Sequence, residues 1–145
     1  MFNSILVVCI GNICRSPIGE HLLRHYLPTQ KIASAGVNAL VGYPADPNTV
    51  IVAEKRGIDL SNHIARQLTA ELCNEYDLIL VMDPKLIDSV AKISSSAISK
   101  TMLFGQWSAQ QKVPDPYKKD LEMFELVYRQ INEAARLWAA KLIHK

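Results

Sequence analysis

Apolar residues in this chain fall into short continuous runs, separated by longer stretches in which they recur every three or four positions. The first run, Ile5 to Val8, is aliphatic and β-branched without alternation, the pattern of a strand buried on both faces of a parallel sheet. "DLILVMD" (Asp77 to Asp83) repeats it most clearly, "KIASAG" (Lys31 to Gly36) more weakly, and "TMLF" (Thr101 to Phe104) in brief. Between them lie helical signals. Ser16-Pro17 predicts a cap followed by proline at the first helical position; Ile18, Leu22, Leu23, Tyr26 and Leu27 then form one stripe, and Pro28 ends it. Asp46-Pro47 and Asp83-Pro84 give the same start signal, for helices stopping near Gly57 and Ser94. "SSSAIS" (Ser94 to Ser99) reads as a polar loop. In the last helix, from Leu121, Phe124, Tyr128, Ile131, Ala135, Trp138 and Leu142 share one face, which fits a helix covering a sheet better than a coiled-coil seam.

Strands alternating with helices imply βαβ units. The expected fold is therefore α/β: three layers, a four-stranded parallel sheet with helices on both faces, all in a single domain over residues 1–145. Ligands in such folds bind beyond the carboxyl ends of the strands, where the segment following Val8 lies.

Composition narrows the setting. Hydrophobic residues make up 49% and charged residues 21%, with a formal net charge of +2 and no charged block, so neither disorder nor a nucleic-acid partner is indicated. Attraction for an anion must then be local. The odd set Cys9, Cys14 and Cys73 suits a reducing compartment better than a disulfide framework. Cys73, beside Leu72 in a helix-like segment, reads as packing. The apolar run Ile5 to Ile13 has no basic residue before it, is interrupted by Gly11 and Asn12, and is too short to span a bilayer. A cytoplasmic protein, not inserted in a membrane, is expected.

Chemistry concentrates between the first strand and the first helix. Cys9 and Arg15 stand at the two ends of a seven-residue turn, the arrangement of a phosphate nest in which successive N–H groups and a helix N-terminus face one anion. The Arg15 guanidinium can hold two phosphoryl oxygens at once, and thiols in such surroundings fall to pKa values of about 3.5 to 7.5. Gly11 and Asn12 are residue types that accept left-handed backbone angles. The Ser16 hydroxyl has two possible duties, capping the helix or donating to the Cys9 sulfur. Metal binding by Cys9 and Cys14 lacks a second pair of ligands, and a nucleotide-binding P-loop lacks its glycine spacing and its Lys-Ser/Thr ending.

These residues are recognisable. "VCIGNICRSP" (Val8 to Pro17) resembles the signature of the low-molecular-weight protein tyrosine phosphatases, and "SAGV" (Ser34 to Val37), "SNHIARQLT" (Ser61 to Thr69), "YDLILVMD" (Tyr76 to Asp83) and "VPDPY" (Val113 to Tyr117) extend the resemblance over nearly the whole chain. It is similar above all to the bacterial branch that dephosphorylates tyrosine autokinases of capsule and exopolysaccharide export. The resemblance implies Cys9 as nucleophile, Ile10, Gly11, Asn12, Ile13, Cys14, Arg15 and Ser16 as the phosphate loop, and Asp115 as general acid. It also implies that Asn12 keeps the loop in shape, with His63 hydrogen-bonded to it. No metal or other cofactor is implied. The implied partner is a phosphotyrosine protein, a membrane tyrosine autokinase, met by a monomer or weak oligomer.

Physical chemistry agrees with the acid. A phenolate leaves poorly near neutral pH, so a proton donor must reach the ester oxygen; Pro114 and Pro116 stiffen the loop that carries Asp115. Cys14, in the same turn as Cys9, is placed to trap an oxidised Cys9 as a disulfide. Where animal members of the family carry a second tyrosine and an aromatic wall, this chain has Lys118 and Leu40, so Leu40 and Tyr117 are the expected walls of the substrate slot. Lys118 and Lys119 read equally as a contact for acidic or clustered phosphotyrosine segments and as a solvated edge. An arsenate reductase on the same scaffold would need further paired cysteines, and a binding module without turnover would not need Cys9, Arg15 and Asp115 together.

Overall fold

The computed structural model describes residues 2–109 and 111–143; of the expected domain span 1–145, Met1, Gln110, His144 and Lys145 lie outside the described residues. Four parallel strands, β1 (Ser4–Cys9), β2 (Lys31–Gly36), β3 (Leu78–Val81) and β4 (Thr101–Leu103), form one sheet in the order β2-β1-β3-β4. Among the described residues five α-helices accompany them: α1 (Arg15–Tyr26), α2 (Pro47–Glu54), α3 (Ala70–Glu75), α4 (Lys85–Ile93) and α5 (Leu121–Ile143). β1 is central, with Ile5 aligned to Ile32 on one side and Leu78 on the other.

The lack of alternation in β1 follows from its two covered faces. Ile5, Val7 and Cys9 pack into a core built with α1, α2 and α5, whereas Leu6 and Val8 pack into a second core with α3, α4 and the segment after it. α5 buries the predicted stripe Phe124, Tyr128, Ile131, Ala135 and Trp138, with Leu142 half-buried against the same core. Among the described residues, no helix is long and apolar enough to cross a membrane.

Two sequence expectations are corrected. The helix read as beginning at Pro17 begins at Arg15, and neither Ser16 nor the N-cap residue Cys14 makes a side-chain cap. Pro17 falls in the first turn, whose N–H groups have no intrahelical partner, so its missing N–H costs nothing there. The polar loop read over Ser94 to Ser99 is a 3-10 helix, Ser95–Lys100, because Ala97 is drawn into the second core and its carbonyl accepts from the Thr101 hydroxyl at 2.8 Å. Its serines concealed one buried position.

A methyl group at Gly36, the last residue of β2, would collide with the Ile10 carbonyl oxygen and lie 3.0 Å from the Asn12 nitrogen. Those are backbone atoms and cannot swing aside. Gly36→Ala is therefore expected to lower stability by about 1–3 kcal/mol, the usual cost of overpacking, and to shift the amide resonances of residues 10–12, read by denaturant unfolding and NMR.

Glu125 joins α5 to the end of α2, accepting from Arg56 at 2.7 Å and Lys55 at 3.1 Å. The Arg56 hydrogen bond foremost, and then that of Lys55, holds its carboxyl down at about 2, below the ordinary 4.5. Its stabilisation is thus complete above the unfolded value and lost as pH falls from about 4.5 toward 2. Glu125→Gln should cost about 1 kcal/mol near neutrality, with the difference from wild type shrinking through that acid window in urea unfolding.

Candidate active site

Six consecutive carbonyls, from Cys9 to Cys14, are each engaged from outside the loop. They accept in turn from the N–H groups of Val37 (3.0 Å), Asn38 (3.0 Å) and Leu40 (3.1 Å), from His63 Nε2 (2.6 Å), from the Asp46 N–H (2.9 Å) and from the Thr49 hydroxyl (3.5 Å). A trans peptide carries its N–H opposite its carbonyl, so tying the oxygens outward turns the nitrogens inward. Among the described residues, the N–H groups of Ile10 to Cys14 have no partner. Ile10, Gly11, Ile13 and Cys14 line a cavity of about 200 Å³ whose walls also include Cys9, Arg15, Leu40, Asp115 and Tyr117.

Asn12 holds the turn. Its φ of 60° is left-handed, and its fully buried side chain donates to Ser16 Oγ (2.7 Å) and Ser34 Oγ (3.0 Å) while accepting from the Arg66 N–H (2.9 Å). His63 donates to the Asn12 carbonyl, which fixes its tautomer with the proton on Nε2. Ser34 in turn donates to Glu20, which also binds Arg24. Gly11, read as a second left-handed position, has no such angle; the single reversal at Asn12 suffices.

The two duties open to Ser16 are now decided. Its oxygen accepts from Asn12, so its own proton is available to Cys9 Sγ, 2.9 Å away. Arg15 is 2% exposed. Its Nη1 donates to the Val113 carbonyl (2.9 Å), its Nη2 lies 3.8 Å from Asp115 Oδ2, and its Nε is buried without a partner. The Val113 N–H meets the Met82 carbonyl just past β3 at 2.9 Å, so the segment carrying Asp115 is tied both to the sheet and to Arg15. Asp115 Oδ1 accepts from the Tyr117 N–H at 3.1 Å, and both side chains stand exposed at the mouth.

Within the loop the side chains differ in use. Ile10 points out, 40% exposed, and contributes its backbone, whereas Ile13 packs in the core. Cys14 borders the cavity with Cys9, both thiols free. Burial first, and then the neighbouring Asp46 carboxylate, pushes the Cys14 thiol far up, so it stays neutral. Among the described residues no group of three metal-ligating side chains occurs. Leu40 and Tyr117 both reach the cavity, as expected of slot walls, and Asn38 beside Leu40 is a lining residue that sequence reasoning missed. Ser34 and Gly36 were within reach, since both lie in "SAGV", as was Arg66 in "SNHIARQLT"; Glu20, a polar residue without a local pattern, was not.

Residues 4–145 match the family model described as low molecular weight phosphotyrosine protein phosphatase. The tyrosine phosphatase AmsI of Erwinia amylovora superposes with a TM-score of 0.95 at 55% identity, over 97% of this chain and 93% of that one. Wzb of Vibrio vulnificus, solved in complex with benzylphosphonate, gives 0.95 at 49% identity, over 97% and 99%. The low molecular weight protein-tyrosine-phosphatase Etp of Escherichia coli K12 is 52% identical over 141 residues, 97% of this chain and 95% of its own length. With a nest of inward amides above a strand-end cysteine, and likeness of this extent from end to end, the chain belongs to the low molecular weight phosphotyrosine protein phosphatase family.

Proposed function

We propose that residues 1–145 act as one protein-tyrosine-phosphatase domain that hydrolyses phosphotyrosine through a phosphocysteine. The carrying observation is the outward engagement of six successive carbonyls, which leaves a ring of N–H donors around the Cys9 sulfur. The unpartnered Arg15 Nε points to the same ligand, an anion with several equatorial oxygens. Benzylphosphonate, carried by the Vibrio vulnificus relative, has the shape of an aryl phosphate whose ester oxygen is replaced by carbon.

In the first step the Cys9 thiolate attacks phosphorus in line, forming the S–P bond as the P–O bond to the tyrosine breaks. Asp115 gives its proton to the departing oxygen. Arg15 and the loop amides hold the equatorial oxygens throughout, so stabilisation comes from donors already in place. Water, deprotonated by the now ionised Asp115, then attacks phosphorus, and Cys9 leaves as thiolate with the Ser16 proton against it. Asn12, Ser16 and His63 position the loop, and Leu40 and Tyr117 flank the aromatic ring. No step requires a metal.

The physiological partner we propose is a membrane tyrosine autokinase controlling exopolysaccharide or capsule production, met from the cytoplasm by a monomer or weak oligomer. Support comes from the bacterial tyrosine phosphatases that the chain matches along nearly its full length.

Hydrolysis of a phosphotyrosine peptide with chelator present tests the reading. Cys9→Ser is expected to abolish turnover, and turnover retained in that variant would overturn the phosphocysteine. Asp115→Asn should lower kcat by about 10²–10⁴ on phosphotyrosine, and far less on p-nitrophenyl phosphate, whose leaving group needs little protonation. Because Asp115 acts protonated, wild-type activity falls on the alkaline side and Asp115→Asn loses that limb; an unchanged bell in the variant would remove Asp115 from the role. Thioredoxin-dependent arsenate turnover, run alongside, would favour the reductase instead.

A further inference from the structure

Past the proposed acid the chain makes a tight turn, with the Lys119 N–H donating to the Pro116 carbonyl at 2.8 Å. Lys118, third of the four residues, has φ 64°, the left-handed angle that a type II turn demands there and that glycine or asparagine usually supplies. A lysine is an uncommon occupant. The angle is imposed from both sides, by the Asp115 bond to the Tyr117 N–H and by the turn itself, so it is a built feature of the segment. Strain of this kind, where the surroundings fix it, points toward use of the side chain it carries.

The Lys118 side chain bends back over Tyr117, its Nζ 5.6 Å from the ring centroid. Tyr117 walls the cavity, so the ammonium stands at the rim. Among the described residues no carboxylate lies within 4 Å of it, whereas Lys112, the other lysine near this segment's base, is paired with Asp83 at 3.5 Å. Arg15, deep in the cavity, serves the phosphoryl group. Lys118 therefore holds a positive charge outside the phosphate site but beside the slot for the aromatic ring.

We propose that Lys118 selects phosphotyrosine segments carrying a negative charge, a carboxylate or a second phosphotyrosine, within one or two residues of the reacting one. The inference rests on the phosphatase reading above and names the substrate class of that same site. An extended peptide advances about 3.3 Å per residue, so a side chain one or two positions away from a ring seated against Tyr117 comes within reach of the lysine. With the backbone at this left-handed angle the side chain lies over the Tyr117 ring, at the mouth.

The test compares kcat/KM for two phosphotyrosine peptides of equal length, one flanked by glutamates and one by glutamines. Wild type is expected to prefer the acidic peptide about two- to fivefold per contacting charge at low salt, with the preference fading as salt rises. Lys118→Gln and Lys118→Gly should both lose it, and Lys118→Arg should keep it. Glycine relieves the backbone while glutamine does not, so a loss common to both is due to charge. Equal wild-type rates on the two peptides, a preference surviving in Lys118→Gln, or an equal loss in Lys119→Gln would overturn the inference while leaving the phosphatase intact. Failure of wild type to hydrolyse either peptide would overturn both.

Discussion

The site depends on a restriction on peptide planes. A peptide group cannot present its oxygen and its nitrogen to the same side, so a loop that must collect N–H donors has to dispose of as many carbonyls elsewhere. Here the segment from Val37 to Thr49 and His63 receive them, one after another. Those partners are far from the loop in sequence and include β2's continuation, the start of α2 and a connecting loop. The anion cradle is in that sense made by its surroundings: the loop residues supply the donors, and neighbouring chain decides which way they face.

Asn12 shows how such an arrangement tolerates a left-handed residue. The angle costs on the order of 1–3 kcal/mol for a residue other than glycine, and the side chain answers it with three hydrogen bonds inside a fully buried setting. Glycine would accept the angle but could not bridge Ser16, Ser34 and the Arg66 backbone. The same bridge leaves the Ser16 proton free to face the Cys9 sulfur, so a structural residue shapes what the sulfur feels. β1 contributes rigidity, since both of its faces lie in packed cores and its end carries Cys9.

Much of this was legible in the sequence. The unbroken aliphatic run of β1, the proline-marked helix starts and the α5 stripe depend on local pattern, and the strands formed where they were read. The cradle was legible because a cysteine, a left-handed residue type and an arginine fell between a strand and a helix. What could not be read was contact across distance: that the Ser16 hydroxyl faces the Cys9 sulfur and caps nothing, that Gly11 needed no unusual angle, and that Glu20 and Arg66 reach the loop through Ser34 and Asn12. Ala97 was missed because one buried methyl among serines leaves no periodicity.

Arg15 grips the segment carrying Asp115 by a hydrogen bond to the main-chain oxygen of Val113, closer than its 3.8 Å ion pair with Asp115 itself. Any residue apolar enough to stay buried at position 113 offers that oxygen equally well. The stretch beyond Pro116 is thereby released from the duty of anchoring, and can differ in charge and shape while Asp115 remains in place. One guanidinium thus separates what must stay constant in this enzyme's mouth from what is free to specialise.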